Sequence, residues 1–483
     1  MSFIRENKNY LVLLLVMLGL GIFMIDQLDV SIKIMTVGVM FYTFFLLGII
    51  SIKPLMIQNK WWENIFYIFI LSAFFGPALL NYNIGPFSLF PFRILFPLIV
   101  LIMLYLYFKD LVFTWNQLYT KKVLLLFVFW LTYALTSLIW VKSLSQGVMD
   151  LIFLLMGIGI IVFMVSFANK QKKINTIYSI WMVSFLLILG MGVINHFFHI
   201  HLPISRISTA NPIYSYIPTS VFVNENDFAS FISLSIFFVL SAILYYRSKF
   251  IKFIGLMLIL ISIYMLDITS SRANILAVFI GLGFWFVFLT ETKSKIKLIF
   301  WGALGSGITS LLFFEKVNAI FNAIYQLVLS LIVTSGSDET STDIRLNLLK
   351  NSFIFLENTL GFGVGTGNSE FFMKNYGVYP TGNIVNVHNW WVEILVNYGV
   401  VIFTLYCLIY LYLVKELFII NKDISEQSQL KLVSVSLLLA MVVFPLSSVS
   451  PSSQIALNYF WVLYGFVIAF INYYRVNNQE ELK

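Results

Sequence analysis

The sequence has 483 residues, of which 60% are hydrophobic, 18% are aromatic and only 11% are charged, with a formal net charge of +8. Soluble domains carry about a quarter charged residues, so this composition excludes an ordinary soluble enzyme. Apolar runs of about 20 residues, the length that crosses a membrane as a helix, recur along the chain and predict an all-α polytopic membrane protein. The positive charge then indicates cationic loops at the cytoplasmic surface rather than a nucleic-acid partner.

The chain contains fourteen candidate spans, and because several of them are short the prediction is 12 to 14 transmembrane helices. The first span follows Arg5 and Lys8 and lacks a small-residue cleavage site, so we expect it to be retained rather than removed as a signal peptide. The candidate spans are 10–25, 31–51, 64–80, 92–108, 122–141, 147–168, 177–198, 228–246, 251–268, 273–291, 297–315, 390–414, 431–448 and 455–473.

The distribution of basic residues predicts the orientation of these spans. With alternating loops and a cytoplasmic N-terminus, 21 of the 30 basic residues fall on the cytoplasmic side, so both termini are expected in the cytoplasm. Only five of 23 lysines but four of seven arginines fall on the extracellular side. A guanidinium binds carboxylate or phosphate oxygens bidentately, which an ammonium cannot do, and this bias therefore indicates an anionic ligand there. The four arginines are Arg93, Arg206, Arg272 and Arg345.

Two loops on the predicted extracellular side are long, spanning residues 199–227 and 316–389. The second contains the segment STDIRLNLLKNSFIFLENTLG, residues 341–361, which predicts a helix that ends at Gly361 and lies against the membrane domain. No soluble appendage or internal repeat is evident in the sequence, so residues 1–483 are predicted to form a single integral membrane domain.

Two motifs that suggest ligands have simpler explanations. The glycine-rich run GFGVGTGN, residues 361–368, lacks the Gly-Lys-Ser/Thr ending of a P-loop and is typical of a helix stop followed by a turn; close approach of its amides to a ligand is the alternative. The run HFFHIH, residues 196–201, meets no recognised metal-ligand spacing. The sequence therefore predicts neither a metal nor a cofactor.

Three segments near the predicted extracellular boundary could carry chemistry. They are DITSSRAN (267–274) with Arg272, TDIRLNLLKNSF (342–353) with Arg345, and VNVHNWWVEILVNYG (385–399) with His388. Each alone has an ordinary interpretation, as an arginine reaching lipid headgroups or as a helix cap beside an aromatic belt. Together, two guanidiniums and one imidazole suit a substrate with a large anionic leaving group and a hydroxyl to deprotonate.

Four segments, in this order and spacing, resemble the O-antigen ligase and polymerase family across residues 215–415. They are SVFVNENDFASFISL, TSSRANILAVFIGL, IRLNLLKNSFIFLENTLGFGVGTGN and HNWWVEILVNYGVV. The first 200 residues resemble the family only in their span pattern. Departures from the family pattern are Asn274 in place of a small residue, Asn358-Thr359 in place of a proline, and Val392 in place of a leucine.

The resemblance implies a GT-C type membrane glycosyltransferase with a large, partly helical extracellular loop. Its donor would be a glycan on a polyprenyl (undecaprenyl) diphosphate, its acceptor a second glycan, and its setting the bilayer of the cytoplasmic membrane, with other polysaccharide-export proteins as candidate partners. Transfer would be metal-independent and inverting, at an active site on the extracellular face. By carry-over the catalytic residues are Arg272 and Arg345, which would hold the diphosphate, and His388, which would activate the acceptor hydroxyl. Apart from the resemblance, we expect substrate binding by Arg206, Asn224, Asn389 and Glu393, although Glu393 could instead pair with an extracellular arginine. Arg93 is left open.

Several functions remain compatible with the sequence. We favour a polymerase that joins lipid-linked repeat units into a surface polysaccharide. A ligase that moves a finished glycan to another acceptor would use the same donor chemistry. A lipid-linked oligosaccharide flippase predicts activity that survives the loss of His388, and a structural or signalling protein predicts that all three sites tolerate alanine.

Overall fold

The computed structural model describes residues 60–84, 87–109, 112, 115–297, 299, 341–452 and 454–481. The predicted spans 10–25 and 31–51, and almost all of 297–315, lie outside the described residues, as does the first part of the long loop 316–389.

Each predicted span that falls within the described residues is a helix, and eight of these helices are long and apolar enough to cross a membrane. The structure therefore confirms an all-α polytopic membrane protein. The helices are α1 (Trp61–Phe75), α2 (Pro91–Phe108), α3 (Lys121–Ser137), α4 (Leu144–Phe167), α5 (Gln171–Phe198), α6 (Glu225–Tyr245), α7 (Lys249–Ile268), α8 (Arg272–Phe284), α9 (Ser341–Asn358), α10 (Ser369–Tyr376), α11 (Trp390–Asp423), α12 (Gln429–Ser447) and α13 (Asn458–Glu481). A short antiparallel hairpin, β1 (Tyr82–Ile84) and β2 (Phe87–Leu89), precedes α2.

Helices α6 and α12 form the centre of the bundle and pack against each other. α6 is buried on all sides along most of its length, which explains why its sequence is apolar without the one-sided pattern of a surface helix. On one side of α6, the ring of Phe238 stacks parallel to Trp181 of α5, with ring centroids 4.6 Å apart. Helices α2, α7 and α8 lie at the periphery, where their apolar side chains remain exposed, as expected of lipid-facing helices.

Helix α11 is broken at Gly399, whose backbone has φ 77° and ψ 178°. Only glycine adopts this conformation readily. The break separates Val396 O from Val400 N–H, which would be hydrogen-bonded to each other in a continuous helix. A membrane protein must satisfy such freed backbone groups internally, because hydrocarbon offers no partner.

The glycine-rich run 361–367 supplies those partners. Gly361 O accepts the Val400 N–H at 2.9 Å, and the N–H groups of Val364 and Gly365 donate to the carbonyls of Val396 and Asn397 at 2.9 and 3.0 Å. Gly361, Gly363, Gly365 and Gly367 all have positive φ, and a side chain on Gly363 would lie 2.7 Å from the Gly399 nitrogen. The predicted helix stop at Gly361 is confirmed, and amides of the run are occupied within the protein.

Helices α9 and α10 form a second, smaller apolar cluster against the N-terminal half of α11. Its buried members are Leu348, Phe355, Val364, Met373, Val387 and Val396. The predicted helix of the long loop is thus confirmed, and it lies against the membrane domain as expected. We call this unit, residues 341–398, the cap.

A buried carboxylate fastens the cap to the bundle. Asp150 of α4 accepts hydrogen bonds through Oδ2 from the Thr366 hydroxyl at 2.7 Å and from the Tyr398 hydroxyl. Ser137 Oγ, at the end of α3, accepts the Thr366 N–H at 3.0 Å. These bonds join α3, α4, the glycine-rich run and the break in α11 at one point.

The backbone at Gly399 can be tested by Gly399→Ala. The substitution forces an L-residue into a conformation that costs about 1–3 kcal/mol, and its Cβ would meet the backbone of Phe362 at 2.6 Å. We expect a lower midpoint of thermal unfolding of the purified protein in detergent. Gly283→Ala in α8 is the matched control, because a Cβ there meets no atom within 4 Å and alanine favours helix. Equal unfolding midpoints for the two variants would contradict the assigned role of Gly399.

Candidate active site

The structure brings Arg272 and Arg345 near enough for their charges to interact, although 73 residues of sequence separate them. Arg272 is the exposed first residue of α8, and Arg345 is a half-buried residue of α9. Burial and the neighbouring charge of Arg272 lower the pKa of Arg345 from its usual value. Two guanidiniums held together repel each other, and a bound anion relieves that repulsion. The pair therefore has the character of an anion site.

His388 belongs to the cap and lies in the turn before α11, where its ring meets the end of α12. Its backbone has φ 53°, and its N–H donates to Asn386 Oδ1 at 3.2 Å. The backbone carbonyls of Ser450 and Pro451 hydrogen-bond to the ring, whereas Nδ1 is buried and has no hydrogen-bond partner among the described residues. Carbonyls only accept, so we assign the proton to Nε2. Nδ1 then carries the free lone pair.

The ring of His388 is held in its neutral form. Burial lowers its pKa most, followed by the positive charge of Arg345, while the carbonyl contacts partly oppose these effects and the charge of Arg206 adds a smaller lowering. The charges of Arg206 and Arg345 thus act on one imidazole, and Arg272 acts on Arg345. The structure brings together His388, Arg272, Arg345 and Arg206, which the sequence placed in separate loops and helix ends.

Arg206 is positioned by an ion pair with Glu225, the first residue of α6. Its Nε donates to Glu225 Oε2 at 3.0 Å, and Nη2 contacts the other carboxylate oxygen. More than half of the Arg206 side chain is exposed. Its backbone N–H donates to the Val223 carbonyl at 2.8 Å. The guanidinium is therefore oriented by the protein while one side remains open.

Asn224 and Asn389 are helix caps. Asn224 Oδ1 accepts the N–H groups of Asn226 and Asp227 at the start of α6, and Asn389 Oδ1 accepts those of Trp391 and Val392 at the start of α11. Asparagine is favoured at such positions because it satisfies the first unpaired amides of a helix. The substrate contacts predicted for these two residues remain predictions.

The aromatic-belt interpretation of the two tryptophans is wrong for Trp390. Its ring is only 2% exposed, and its Nε1–H donates to the Tyr406 hydroxyl at 2.6 Å inside the bundle. Trp391 packs on Tyr410 and donates to a backbone carbonyl of α12. Glu393 lies half-buried in the first turn of α11, and its N–H donates to the Asn389 carbonyl at 2.8 Å. Its predicted substrate contact remains a prediction.

The sequence prediction missed residues 445–452, PLSSVSPS, which we call the serine corner. This segment ends α12 and contacts the starts of α6, α8 and α11, and it reaches His388 through the carbonyls described above. A dense run of serine and proline at the end of an apolar span was the available signal. The further bonds are Trp390 N–H to Ser448 O (3.0 Å), Trp391 Nε1–H to Pro445 O (3.2 Å), Asn224 Nδ2–H to Ser452 Oγ (2.6 Å) and Ser452 N–H to Asp227 Oδ1 (3.1 Å).

A buried network of hydrogen bonds holds the start of α8, the helix whose first residue is Arg272. Asn274 Nδ2–H donates to Ser271 Oγ at 2.8 Å, and Asn274 Oδ1 accepts from the Ser233 hydroxyl of α6 at 2.9 Å. Ser233 and Ser271 also reach the serine corner, at Ser447 and Ser450. Asn274, which departs from the family pattern, is fully buried. It therefore fixes the start of α8 rather than facing a substrate.

The histidines of the HFFHIH run hold the loop that carries Arg206. The ring nitrogens of His196 lie 2.8 Å from the Tyr216 carbonyl and 2.9 Å from the Tyr264 hydroxyl, and His201 Nε2 lies 2.7 Å from the Ser215 carbonyl. In the part of the chain that the structure describes, no group of three or more His, Cys, Asp or Glu side chains is arranged to hold a metal ion.

Two comparisons with known proteins connect these residues to a family. Residues 257–407, which include Arg272, Arg345 and His388, match the family model described as O-Antigen ligase. The chain is also 35% identical over 428 residues to the teichuronic acid biosynthesis protein TuaE of Bacillus subtilis (strain 168), covering 87% of this chain and 86% of that protein. The chain therefore belongs to the O-antigen ligase and polymerase family of membrane proteins of polysaccharide biosynthesis.

Proposed function

We propose that this protein is a glycosyltransferase that joins polyprenyl-diphosphate-linked repeat units into a cell-surface polysaccharide. The observation that carries the proposal is that His388 is buried where the charges of Arg345 and Arg206 act on its ring, while the charge of Arg272 acts on Arg345. A transfer reaction with an anionic leaving group and a hydroxyl nucleophile needs both kinds of group in one place.

Arg272 and Arg345 would bind the diphosphate of the donor. When the bond between the anomeric carbon and the diphosphate oxygen breaks, the bonding electrons leave with the lipid diphosphate and its negative charge grows. Bidentate guanidinium contacts strengthen as that charge develops, so they stabilise the transition state more than the ground state. Arg206, already oriented by Glu225, would add a third positive charge at the edge of the site.

His388 would act as the general base. Its Nδ1 accepts the proton of the acceptor hydroxyl while the hydroxyl oxygen forms the new bond to the anomeric carbon. The carbonyls of Ser450 and Pro451 hold the Nε2–H, and they also stabilise the imidazolium that forms. A single displacement of this kind inverts the anomeric configuration.

The polymerase assignment and the orientation rest on separate arguments. The relative TuaE is named for teichuronic acid biosynthesis, and we extend a role in building such a surface polymer to this chain. The lysine-rich loops place both termini in the cytoplasm, and the site would then face the outside, where lipid-linked repeat units are joined. Transfer of a finished glycan to a different acceptor is the alternative outcome of the experiment below.

Single substitutions of the three central residues test the proposed roles. We expect His388→Ala to lower polymer formation about 10²–10⁴-fold, as for the loss of a general base. Arg345→Gln should lower it about 10²–10³-fold, as for the loss of a transition-state anion contact. Arg272→Lys keeps the positive charge but cannot bind a phosphate through two parallel hydrogen bonds. We therefore expect this variant to form measurably less polymer. The measurement is the amount and length of glycan on lipid and at the cell surface.

The accumulated product distinguishes the possible functions. A polymerase defect leaves single repeat units on lipid, a ligase defect leaves long lipid-linked chains, and a flippase defect leaves units on the cytoplasmic face. Arg247→Gln is the matched control, because Arg247 is an exposed arginine after α6, at the end opposite the candidate site. Normal polymer from all three central variants, with membrane insertion verified, would refute the enzyme proposal.

The pH dependence of transfer follows from the lowered pKa of His388. Only the neutral ring accepts a proton, and a lowered pKa keeps the ring neutral to more acidic pH. We therefore expect transfer by the purified enzyme to persist at pH 6.5 and to fall at lower pH. Arg206→Gln removes one of the positive charges that lower this pKa. As the pH is lowered, this variant should therefore lose activity at a higher pH than the wild type does. If the wild-type enzyme lost half of its activity at a pH above 6.5, the assignment of His388 as the general base would be contradicted.

A further inference from the structure

A cavity of about 220 Å³ lies beside the candidate active site, at the same end of the bundle. It is formed by the end of α1, the start of α2, the segment before α6 and the start of α13. Its walls are mainly apolar and include five aromatic side chains, with polar groups at a few positions. The residues used below are Phe74, Phe90, Arg93, Phe222, Asp227 and Tyr459.

Arg93 is held rigidly at this cavity. Its Nη1 donates to the carbonyl of Ser88 at 2.7 Å and to the Ser88 hydroxyl at 3.0 Å. Its guanidinium carbon lies 4.6 Å from the ring centroid of Phe90 and 4.9 Å from that of Phe153. The hairpin β1–β2 and two aromatic rings therefore fix the orientation of the side chain. A fixed guanidinium loses little conformational freedom when it binds an anion.

One wall separates this cavity from the arginines around His388. Asp227 and Ser452 line the cavity, and Asn224 bonds to both of them, at 3.0 and 2.6 Å. Val223 also lines the cavity, while its carbonyl accepts the backbone N–H of Arg206. A chain-like substrate that reacts at His388 thus passes close to a second polar and aromatic surface.

Aromatic rings with a few fixed polar groups suit a sugar ring. The apolar C–H face of a pyranose packs on the electron-rich face of an aromatic ring, and its hydroxyls bond to the polar groups. A guanidinium at the edge adds a contact for a carboxylate or another anionic substituent. A lipid tail or a nucleotide would use only part of these groups.

We propose that the Arg93 cavity binds an acidic sugar unit of the glycan, remote from the bond that is formed at His388. This inference rests on the proposed glycan transfer for its substrate class. It assigns to Arg93, the arginine that the sequence left open, a role in substrate recognition. The binding of a single sugar can be measured without transfer, so the two proposals can fail separately.

Binding is measured on the full-length protein in nanodiscs by saturation-transfer NMR, with methyl glucuronide and methyl glucoside as probes. We expect transfer to the ring protons of the glucuronide and weaker transfer to the neutral glucoside. Arg93→Gln should weaken glucuronide binding about tenfold or more, as for the loss of a charge-assisted contact. Arg93→Lys keeps the charge and serves as a control for a folding defect. It should bind the glucuronide more weakly than the wild type and more strongly than Arg93→Gln. The control Arg247→Gln should bind like the wild type.

Each contrary result has a defined meaning. Equal glucuronide binding by the wild type and a folded Arg93→Gln variant would overturn the proposal. Complete displacement of the glucuronide by inorganic phosphate, with no detectable binding of the glucoside, would identify a simple anion site and would also overturn it. Normal polymer from His388→Ala together with Arg93-dependent glucuronide binding would refute the proposed reaction but leave the sugar site intact.

Discussion

The exchange of backbone hydrogen bonds at Gly399 is the constraint on which the site depends. A break in an apolar helix frees amide and carbonyl groups that lipid cannot satisfy. Here the glycine-rich run supplies the missing partners, because it donates a hydrogen bond to the Val396 carbonyl and accepts one from the Val400 N–H. Because that run follows α9 directly, the same bonds fix the helix that carries Arg345. They also fix the N-terminal half of α11, at whose start His388 lies.

The site holds two positively charged side chains near each other, and this arrangement costs electrostatic free energy. Arg272 and Arg345 repel each other, and both the burial of Arg345 and this repulsion oppose its charged state. The buried network of Asn274, Ser233 and Ser271 keeps the start of α8 in place against that repulsion. An anion that binds there would relieve this repulsion, and the diphosphate of the proposed donor is such an anion.

Much of the architecture could be predicted from the sequence because the bilayer imposes it. A span must be about 20 apolar residues long, and this rule located the eight described helices that are long and apolar enough to cross a membrane. The nature of the arginine and histidine sites was also predictable, since few other residue types bind phosphate or accept a proton near neutral pH. The caps at Asn224 and Asn389 follow from an equally local rule.

What could not be predicted are the contacts between distant segments. Nothing in the local pattern shows that the glycine-rich run pairs with a broken helix 35 residues later, because positive φ is also typical of an ordinary turn. The sequence also does not show that Trp390 is buried, since a tryptophan at a span boundary fits a membrane interface equally well. The serine corner acts mainly through backbone carbonyls, and carbonyl positions carry no residue-specific signal.

The serine corner also changes which part of the chain counts as the functional unit. It lies beyond the matched residues 257–407, yet its carbonyls orient the ring of His388 and its serines reach the start of α8. Asp150, far upstream, anchors the cap through Thr366. The three central residues therefore depend on α4 and on the end of α12 for their geometry. A segment limited to the motif-bearing helices would contain His388 but not the carbonyls of Ser450 and Pro451 that hydrogen-bond to its ring.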